Sequence, residues 1–185
     1  TWTMSAVSDF PLTCVAMSAT GQYIAITVNS TNHLLISSNY GATWTTITSI
    51  TTSNMWNVSM SASGQYQTVT TSGSTYISSN YGVTWSAVAS SSNWTAVMVG
   101  DSGRFQLATN GTSMYYSLDY GNTWSTSTST FTGTINRIDM SKNGTWQIAS
   151  TGTSGYIYVS NCAVKADVNA NKINFTGTLN SIPAG

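Results

Sequence analysis

The sequence predicts an all-β fold made of four similar units of about forty residues each. A nine-residue phrase, ISSNYGATW at 36–44, returns as ISSNYGVTW at 77–85 and as YSLDYGNTW at 116–124. A second phrase, first seen as MSATGQYIAITV at 17–28, occurs four times at similar spacing. Short runs rich in Thr, Val, Ile and aromatic residues, broken by Gly and Asn, favour strands rather than helices. About forty residues and four strands per unit are the dimensions of one blade of a β-propeller.

Each unit divides into four predicted strands, A to D. Strand A, such as TCVAMS, ends in a turn where glycine supplies a positive φ at little cost. These turn glycines are Gly21, Gly64, Gly103 and Gly144. Strand B begins with an aromatic residue, which is Tyr23, Tyr66, Phe105 or Trp146. Strand C runs into the nine-residue phrase, and strand D begins at the Thr-Trp that ends it.

The unit boundaries predict how the chain is organised. The units occupy about 11–50, 54–90, 93–130 and 134–162, and the opening residues 1–7 match a strand D without its unit. The fourth unit has strands A, B and C but no Gly-x-Thr-Trp after Ser160. We therefore expect a propeller over 1–162 in which 1–7 joins the last blade and closes the ring, since this pairing removes two exposed edges. Residues 163–185 break the repeat and are predicted to be a tail or linker.

Two other architectures remain open at this stage. The chain begins with Thr rather than Met, which favours a processed chain or a fragment. It could then be part of a larger propeller, or two chains could share one ring of more blades.

The pattern Ser-x-Asp/Asn-x-Gly-x-Thr-Trp resembles the Asp box, or BNR repeat, of sialidase-type β-propellers. The matching residues are Ser37, Asn39, Gly41, Thr43, Trp44, Ser78, Asn80, Gly82, Thr84, Trp85, Ser117, Asp119, Gly121, Thr123 and Trp124. The resemblance implies a structural turn between strands C and D, away from a catalytic face. The residue types agree, because Asn and Asp bond nearby backbone N–H groups and Trp buries a large area. The usual Asp is Asn in two copies, and a fourth copy survives only as VSN.

A looser resemblance concerns the whole Ser/Thr-rich repeat and the segment that follows it. These are similar to large surface proteins of giant DNA viruses and phages. The resemblance implies an exterior, structural setting.

Composition argues against several classes of partner. The chain has 5 Lys+Arg, 5 Asp+Glu and only 5% charged residues. Nucleic acids and anionic membranes attract clustered Lys and Arg, so neither is expected as a partner. No apolar run approaches the roughly 20 residues of a membrane-spanning helix, so no membrane insertion is predicted. The low charge and hydroxyl-rich surface predict an extracellular or virion location.

Catalytic machinery is not evident in the sequence. Sialidases of the resembled family use three arginines, a Tyr–Glu pair and an Asp, whereas this chain has only Arg104 and Arg137 and no Glu. Glycoside hydrolysis usually needs two convergent carboxylates, and the few Asp residues are dispersed. His33 is the only histidine, and clusters of His and Cys metal ligands are absent. The sequence therefore predicts a protein that is not an enzyme and that has no cofactor and no metal.

Three groups of residues are candidates for binding, and each has a plain structural alternative. Tyr40, Tyr81 and Tyr120 hold a variable box position where they could contact a sugar or pack on a neighbouring turn. Trp56 and Trp94 lie outside the repeated Trp positions and could bind a ligand or fill the core. Arg137 and Asp139 are two apart on predicted strand A, so they share one face of it. They could line a central channel or form a solvated ion pair.

These observations favour a non-catalytic exterior module that binds glycans or partner proteins, such as a virion component. The second hypothesis is a purely architectural fibre or capsid decoration whose partners include copies of itself. A sialidase-like glycosidase is the least favoured. The sugar hypothesis rests on fold analogy, and fold alone does not determine function.

Overall fold

The computed structural model describes residues 11–28, 33–50, 54–88, 93–152 and 155–161, and the backbone of 180–183. These residues form sixteen strands in four antiparallel sheets of four strands each. Sheet 1 contains β1 (Leu12–Met17), β2 (Ile24–Val28), β3 (His33–Ser37) and β4 (Thr45–Ile47). Sheet 2 contains β5 (Met55–Met60), β6 (Gln67–Thr71), β7 (Thr75–Ser78) and β8 (Ser86–Val88). Sheet 3 contains β9 (Ala96–Val99), β10 (Gln106–Thr109), β11 (Met114–Ser117) and β12 (Ser125–Thr126). Sheet 4 contains β13 (Ile135–Met140), β14 (Trp146–Thr151), β15 (Tyr156–Asn161) and β16 (Asn180–Pro183).

The sheets follow the predicted units closely, because strands within a sheet pair in chain order. Each of sheets 1 to 3 takes its four strands from one predicted unit. The first strand carries the same register irregularity in three sheets, between Leu12 and Cys14, between Met55 and Asn57, and between Ile135 and Arg137. A conserved irregularity at one repeat position shows that the units share their backbone geometry as well as their letters.

The sheets pack side by side along their inner strands. Strand β1 contacts β5, β5 contacts β9, and β9 contacts β13, while the second strand of each sheet contacts the first strand of the next. Two of the hydrophobic clusters are therefore formed between successive sheets. One cluster between sheets 1 and 2 contains Leu34, Val58 and Met60, and one between sheets 3 and 4 contains Leu107 and Ile138. The fold is an all-β propeller arrangement.

The outer strand of sheet 4 differs from the expected one. β16 (Asn180–Pro183) pairs with β15, placing Val159 opposite Asn180 and Tyr156 opposite Pro183. Part of the predicted tail thus supplies the fourth strand, because the free edge of β15 can be paired by any extended segment. The strand predicted for this place, 1–7, lies outside the described residues. Ring closure through that strand stays a prediction.

Candidate functional site

The nine-residue repeats at 36–44, 77–85 and 116–124 form turns, called box turns from here on, and one set of hydrogen bonds recurs in all three. In the first box, Ser37 Oγ accepts from the Gly41 N–H at 2.9 Å and donates to Asn39 Oδ1 at 3.0 Å. The same Oδ1 accepts from the Thr43 N–H at 2.9 Å. These contacts recur in the other two boxes, around Ser78 and Asn80 and around Ser117 and Asp119. The side chains therefore fix the turn, as their residue types predict.

The box tryptophans close the second and third turns from the strand D side. Trp85 Nε1 donates to the Gly82 carbonyl at 2.9 Å, and Trp124 Nε1 donates to the Gly121 carbonyl at 2.8 Å. Each indole therefore satisfies its polar atom locally while its rings pack into the core. Trp44, in the first box, packs against the cluster of Ile26, Val28 and Leu35.

The box tyrosines have a left-handed backbone, with φ of 61° at Tyr40 and 63° at Tyr81 and Tyr120. Residues other than Gly rarely adopt this backbone conformation. Each tyrosine N–H donates to the carbonyl of the residue that precedes the strand B aromatic. These carbonyls belong to Gln22, Gln65 and Arg104, at 3.0, 3.0 and 3.2 Å. The box turn is thereby held against the A–B turn of its own sheet.

Two of the tyrosines stack on the preceding sheet. The ring of Tyr81 lies 4.7 Å from that of Tyr23, and the ring of Tyr120 lies 4.3 Å from that of Tyr66. Tyr81 and Tyr120 are 38% and 37% exposed, whereas Tyr40, for which the described residues provide no preceding sheet, is 69% exposed. Packing on a neighbouring sheet therefore accounts for one side of the Tyr81 and Tyr120 rings, whereas the Tyr40 ring is largely exposed to solvent.

A cleft of about 290 Å³ lies between the second and third box turns. The stacked rings of Tyr66 and Tyr120 line it together with Ile77. Its polar lining consists of neutral groups, which come from Ser78, Ser79, Thr84, Ser86 and Asn122. The cleft thus combines aromatic faces with hydroxyl and amide groups and has no charged side chain in its lining. Its volume is close to the lower end of the usual range for small-molecule sites, about 300–1,000 Å³.

Asn122 distinguishes this cleft from the equivalent place one sheet earlier. Asn122 holds the variable position after the box glycine, where the second box has Val83 and the first has Ala42. Its Nδ2 donates to the Asp119 carbonyl, which leaves its Oδ1 as an acceptor at the cleft. Comparing the variable positions of the three boxes could have identified Asn122, but the repeat pattern identifies only the residues that the boxes have in common.

Asp119, the one carboxylate in the boxes, is used to hold its turn. Burial alone would raise its pKa, but hydrogen bonds from the Thr123 hydroxyl and N–H and from Ser117 hold the pKa below its ordinary value. Thr123 Oγ1 donates to Asp119 Oδ2 at 2.7 Å. The carboxylate is therefore engaged through both oxygens.

We expect the substitution Asp119→Asn to make the protein less sensitive to acid. The folded-state pKa is lowered, so the stabilisation by the carboxylate is complete above its unfolded pKa of about 3.9 and is lost as pH falls through the folded value. Asn fills this position in the first two boxes, so the turn tolerates it. Urea unfolding from neutral pH down to about pH 3 should show a smaller loss of stability for the variant than for wild type.

Asp101→Asn is the control for this prediction, because Asp101 is exposed and its side chain makes no hydrogen bond among the described residues. It should follow the wild-type pH profile more closely. Equal acid sensitivity of wild type and Asp119→Asn would contradict the assigned role of the carboxylate.

The two candidate tryptophans separate clearly. Trp94 is only 2% exposed and lies 4.4 Å from the ring of Trp124 and 5.4 Å from that of Tyr115. It is a core residue and does not reach a surface ligand, because it packs on the face of sheet 3 beside Val97. Trp56, at the start of β5, is 47% exposed and remains available to a partner.

Arg137 and Asp139 are exposed and flank the buried Ile138, so they share one face of β13 as predicted from their spacing. The equivalent residues of sheet 2 are Asn57 and Ser59. Their side chains accept from the N–H groups of sheet 3 at 3.2 and 2.9 Å. Arg137 and Asp139 therefore lie on the face by which the earlier sheets contact the next one, and the described part of the chain places no ion pair between them.

Three buried glutamines, Gln67, Gln106 and Gln147, escaped the sequence analysis, and Gln147 Nε2 donates to the Gly144 carbonyl at 3.3 Å. Gln67 Nε2 donates to the Gly64 carbonyl at 2.9 Å, and Gln106 Nε2 donates to the Gly103 carbonyl at 3.1 Å. Gln106 Oε1 also accepts from Thr68 Oγ1 of sheet 2 at 2.6 Å. They tie the A–B turn to the body of the sheet. Their recurrence just after the strand B aromatic was visible in the sequence.

Other kinds of site were sought among the described residues. In that part of the chain, no three His, Cys, Asp or Glu side chains come together as metal ligands. Likewise, no helix there is long and apolar enough to cross a bilayer. A second cavity, of about 30 Å³, lies between sheets 3 and 4 beside Phe131 and Tyr158 and has room only for water.

Comparison with known proteins supports the fold. No protein-family model and no curated protein matches the sequence. Many solved structures resemble the chain, among them the following three. A GH74 enzyme of Niastella koreensis matches with a TM-score of 0.69 and 16% identity, over 83% of this chain and 24% of its own. YCF48 bound to the D1 peptide matches with a TM-score of 0.64 and 14% identity, over 81% of this chain and 51% of its own. A nidogen/laminin complex matches with a TM-score of 0.67 and 11% identity, over 82% of this chain and 61% of its own.

The chain thus spans less than two thirds of the length of each of these structures. At such low identity the similarity concerns the fold alone. Together with the four antiparallel sheets, it shows that this protein is an all-β propeller.

Proposed function

We propose that the protein is a non-catalytic binding module that takes a neutral glycan in the cleft between its second and third box turns. The observation that carries this proposal is the lining of that cleft, where the Tyr66–Tyr120 stack faces hydroxyl and amide groups. Aromatic rings offer flat apolar faces with a preferred contact geometry, and hydroxyls both donate and accept hydrogen bonds. A hydroxyl-rich, uncharged ligand satisfies both kinds of group, whereas a charged ligand would find no countercharge in this lining.

The finer identity of the fold belongs to the same proposal. We infer that the four sheets are propeller blades and that the three turns are Asp boxes. The repeated hydrogen bonds around Ser37, Ser78 and Ser117 support this inference. An exterior location, such as a virion surface, agrees with the low charge and the hydroxyl-rich surface.

The absence of catalysis is also part of the proposal. Asp119 belongs to the same box turn as the lining residues Tyr120 and Asn122, and hydrogen bonds from Thr123 and Ser117 engage it in the turn. Acid–base hydrolysis of a glycoside usually needs a pair of facing carboxylates. An enzymatic role would therefore require groups other than those that line this cleft.

Partner proteins are the second candidate ligands. Trp56 is a large exposed aromatic, and exposed Trp is enriched where proteins meet. The YCF48 and nidogen structures, by their own descriptions, hold a peptide and laminin. A purely architectural role is the remaining alternative, and the stacking of Tyr81 and Tyr120 on neighbouring sheets agrees with it.

A glycan-array screen tests the glycan proposal. We expect wild type to bind a subset of neutral glycans and Asn122→Val to bind them about 2–10-fold more weakly, the cost of one hydrogen bond. The variant reproduces the residue type of the second box, where Val83 stands, so the turn should fold normally. Failure of wild type to bind any glycan would contradict the proposal, and so would equal binding by the variant.

A further inference from the structure

One aromatic contact links each sheet to the next, and it recurs along the chain. The strand B aromatic of one sheet packs on the A–B turn glycine of the following sheet. A Cβ atom built on Gly64 would lie 2.7 Å from Tyr23, one on Gly103 would lie 2.4 Å from Tyr66, and one on Gly144 would lie 2.5 Å from Phe105. The first two aromatics also stack on the box tyrosine of the following sheet.

A backbone contact recurs beside it. The Ala19 N–H donates to the Ala62 carbonyl at 2.8 Å, the Ala62 N–H to the Asp101 carbonyl at 3.0 Å, and the Asp101 N–H to the Lys142 carbonyl at 2.8 Å. These four residues hold the same position in successive A–B turns. Each sheet thus donates one hydrogen bond to the next, in a constant direction.

Both series of contacts stop at sheets 1 and 4. Among the described residues, the groups left without this contact on sheet 4 are of the kind that sheet 1 would receive. At the end of sheet 4, Trp146 is the strand B aromatic, it is 53% exposed, and no following glycine covers it among the described residues. At the start of sheet 1, no aromatic of a preceding sheet in the described part of the chain lies within 4 Å of a Cβ atom on Gly21, and the box tyrosine Tyr40 is exposed. Among the described residues, the Lys142 N–H has no acceptor and the Ala19 carbonyl has no donor.

Apolar side chains at the two ends show the same complementarity. On the face of sheet 1 that points away from sheet 2, called the start face, Val15 is 65% exposed, although the equivalent Val58 is 3% exposed against sheet 1. On the face of sheet 4 that points away from sheet 3, called the end face, Ile148 is 43% exposed, although the equivalent Ala25 is fully buried against sheet 2. Val15 and Ile148, whose equivalents are buried at the contacts between sheets, are thus open to solvent at the ends, whereas Ile26, the neighbour of Val15 across the sheet, is already buried within one copy.

We propose that a second copy of this chain covers these faces, with the end face of each copy packed on the start face of the other. Trp146 then packs on Gly21 and stacks on Tyr40 of the second copy, and the Lys142 N–H donates to the Ala19 carbonyl of the second copy. Asp139 takes the place of Ser59, which accepts from the Val99 N–H, and so faces the Met17 N–H of the second copy.

The number of copies follows from the size of the ring. The contact is head-to-tail, and such contacts form rings when their rotation closes. Two copies contribute eight sheets, which is within the usual range of about four to eight blades. Two identical contacts then cover both ends of both chains, so the closed assembly is a dimer.

Charge placed on either face should separate the copies. Val15→Asp damages the start face and Ile148→Asp damages the end face, and both side chains are exposed within one copy, so each variant should fold. Light scattering coupled to gel filtration should show a dimer for wild type and a monomer for each variant alone. Val83→Asp is the matched control, because Val83 is 74% exposed in the second box turn, away from both faces, and this variant should remain a dimer.

Mixing the two variants tests the head-to-tail arrangement itself. The mixture holds one undamaged contact, between the end face of Val15→Asp and the start face of Ile148→Asp. We expect a heterodimer in the mixture, although each component alone is monomeric. A monomeric wild type, a dimer that survives Val15→Asp, or a mixture that stays monomeric would each overturn the proposal. The first of these results would leave the faces to other blades or to solvent.

Discussion

Trp94→Ala is expected to lower the free energy of unfolding by about 3–5 kcal/mol, the usual cost of removing a large aromatic from a core. Trp94 is only 2% exposed and packs on Trp124, Tyr115, Val97 and Ala108. These described neighbours are held in strands or in the third box turn, so they cannot readily move into the space. Urea unfolding followed by circular dichroism measures the loss.

Two further variants make this prediction specific. Trp56→Ala removes the same side chain from an exposed position, and surface substitutions usually change stability by less than about 0.5 kcal/mol. Trp94→Phe should cost much less than Trp94→Ala, because the buried Trp94 Nε1 has no hydrogen-bond partner to lose among the described residues. Similar losses for Trp94→Ala and Trp56→Ala would show that Trp94 is not a core residue.

Gly103→Ala is expected to cost about 2–4 kcal/mol, from a left-handed backbone and a steric clash together. Gly103 has a φ of 78°, and its added Cβ would lie 2.4–2.6 Å from the side chain of Tyr66. Tyr66 cannot easily withdraw, because its ring is stacked on Tyr120 at 4.3 Å. The substitution therefore forces sheets 2 and 3 apart where the repeat joins them.

Gly73→Ala separates the two causes. Gly73 also has a positive φ, of 97°, but a Cβ there would meet nothing within 4 Å. It should cost only the backbone part, about 1–2 kcal/mol. Equal losses for the two variants in urea unfolding would mean that the contact with Tyr66 contributes nothing.

Most of the fold could be predicted from the sequence because the side chains of the repeat form hydrogen bonds with residues only a few positions away. Ser37 and Asn39 shape their turn with atoms a few residues away, so the letters alone locate the turn. The outer strand of sheet 4 was not predicted in its place, since pairing along the open edge of β15 depends on backbone groups that every segment carries.

The candidate site was predicted less well, because it lies between units. Tyr120 was singled out as a box tyrosine, but the cleft needs Tyr66 from the preceding sheet, and the repeat says nothing about spacing between sheets. Trp94 and Trp56 looked alike in the sequence and were separated only by burial. Arg137 and Asp139 share a face as predicted, yet which neighbour that face meets depends on how the sheets follow one another.

The most direct test of the proposed function is a calorimetric titration of an array-selected glycan into Tyr120→Ala and Tyr81→Ala. Both variants remove a box tyrosine that stacks on the preceding sheet, but only Tyr120 lines the cleft. We expect Tyr120→Ala to bind about tenfold more weakly, which corresponds to about 1.4 kcal/mol, and Tyr81→Ala to bind like wild type. Equal affinities of the two variants would contradict a glycan site in this cleft.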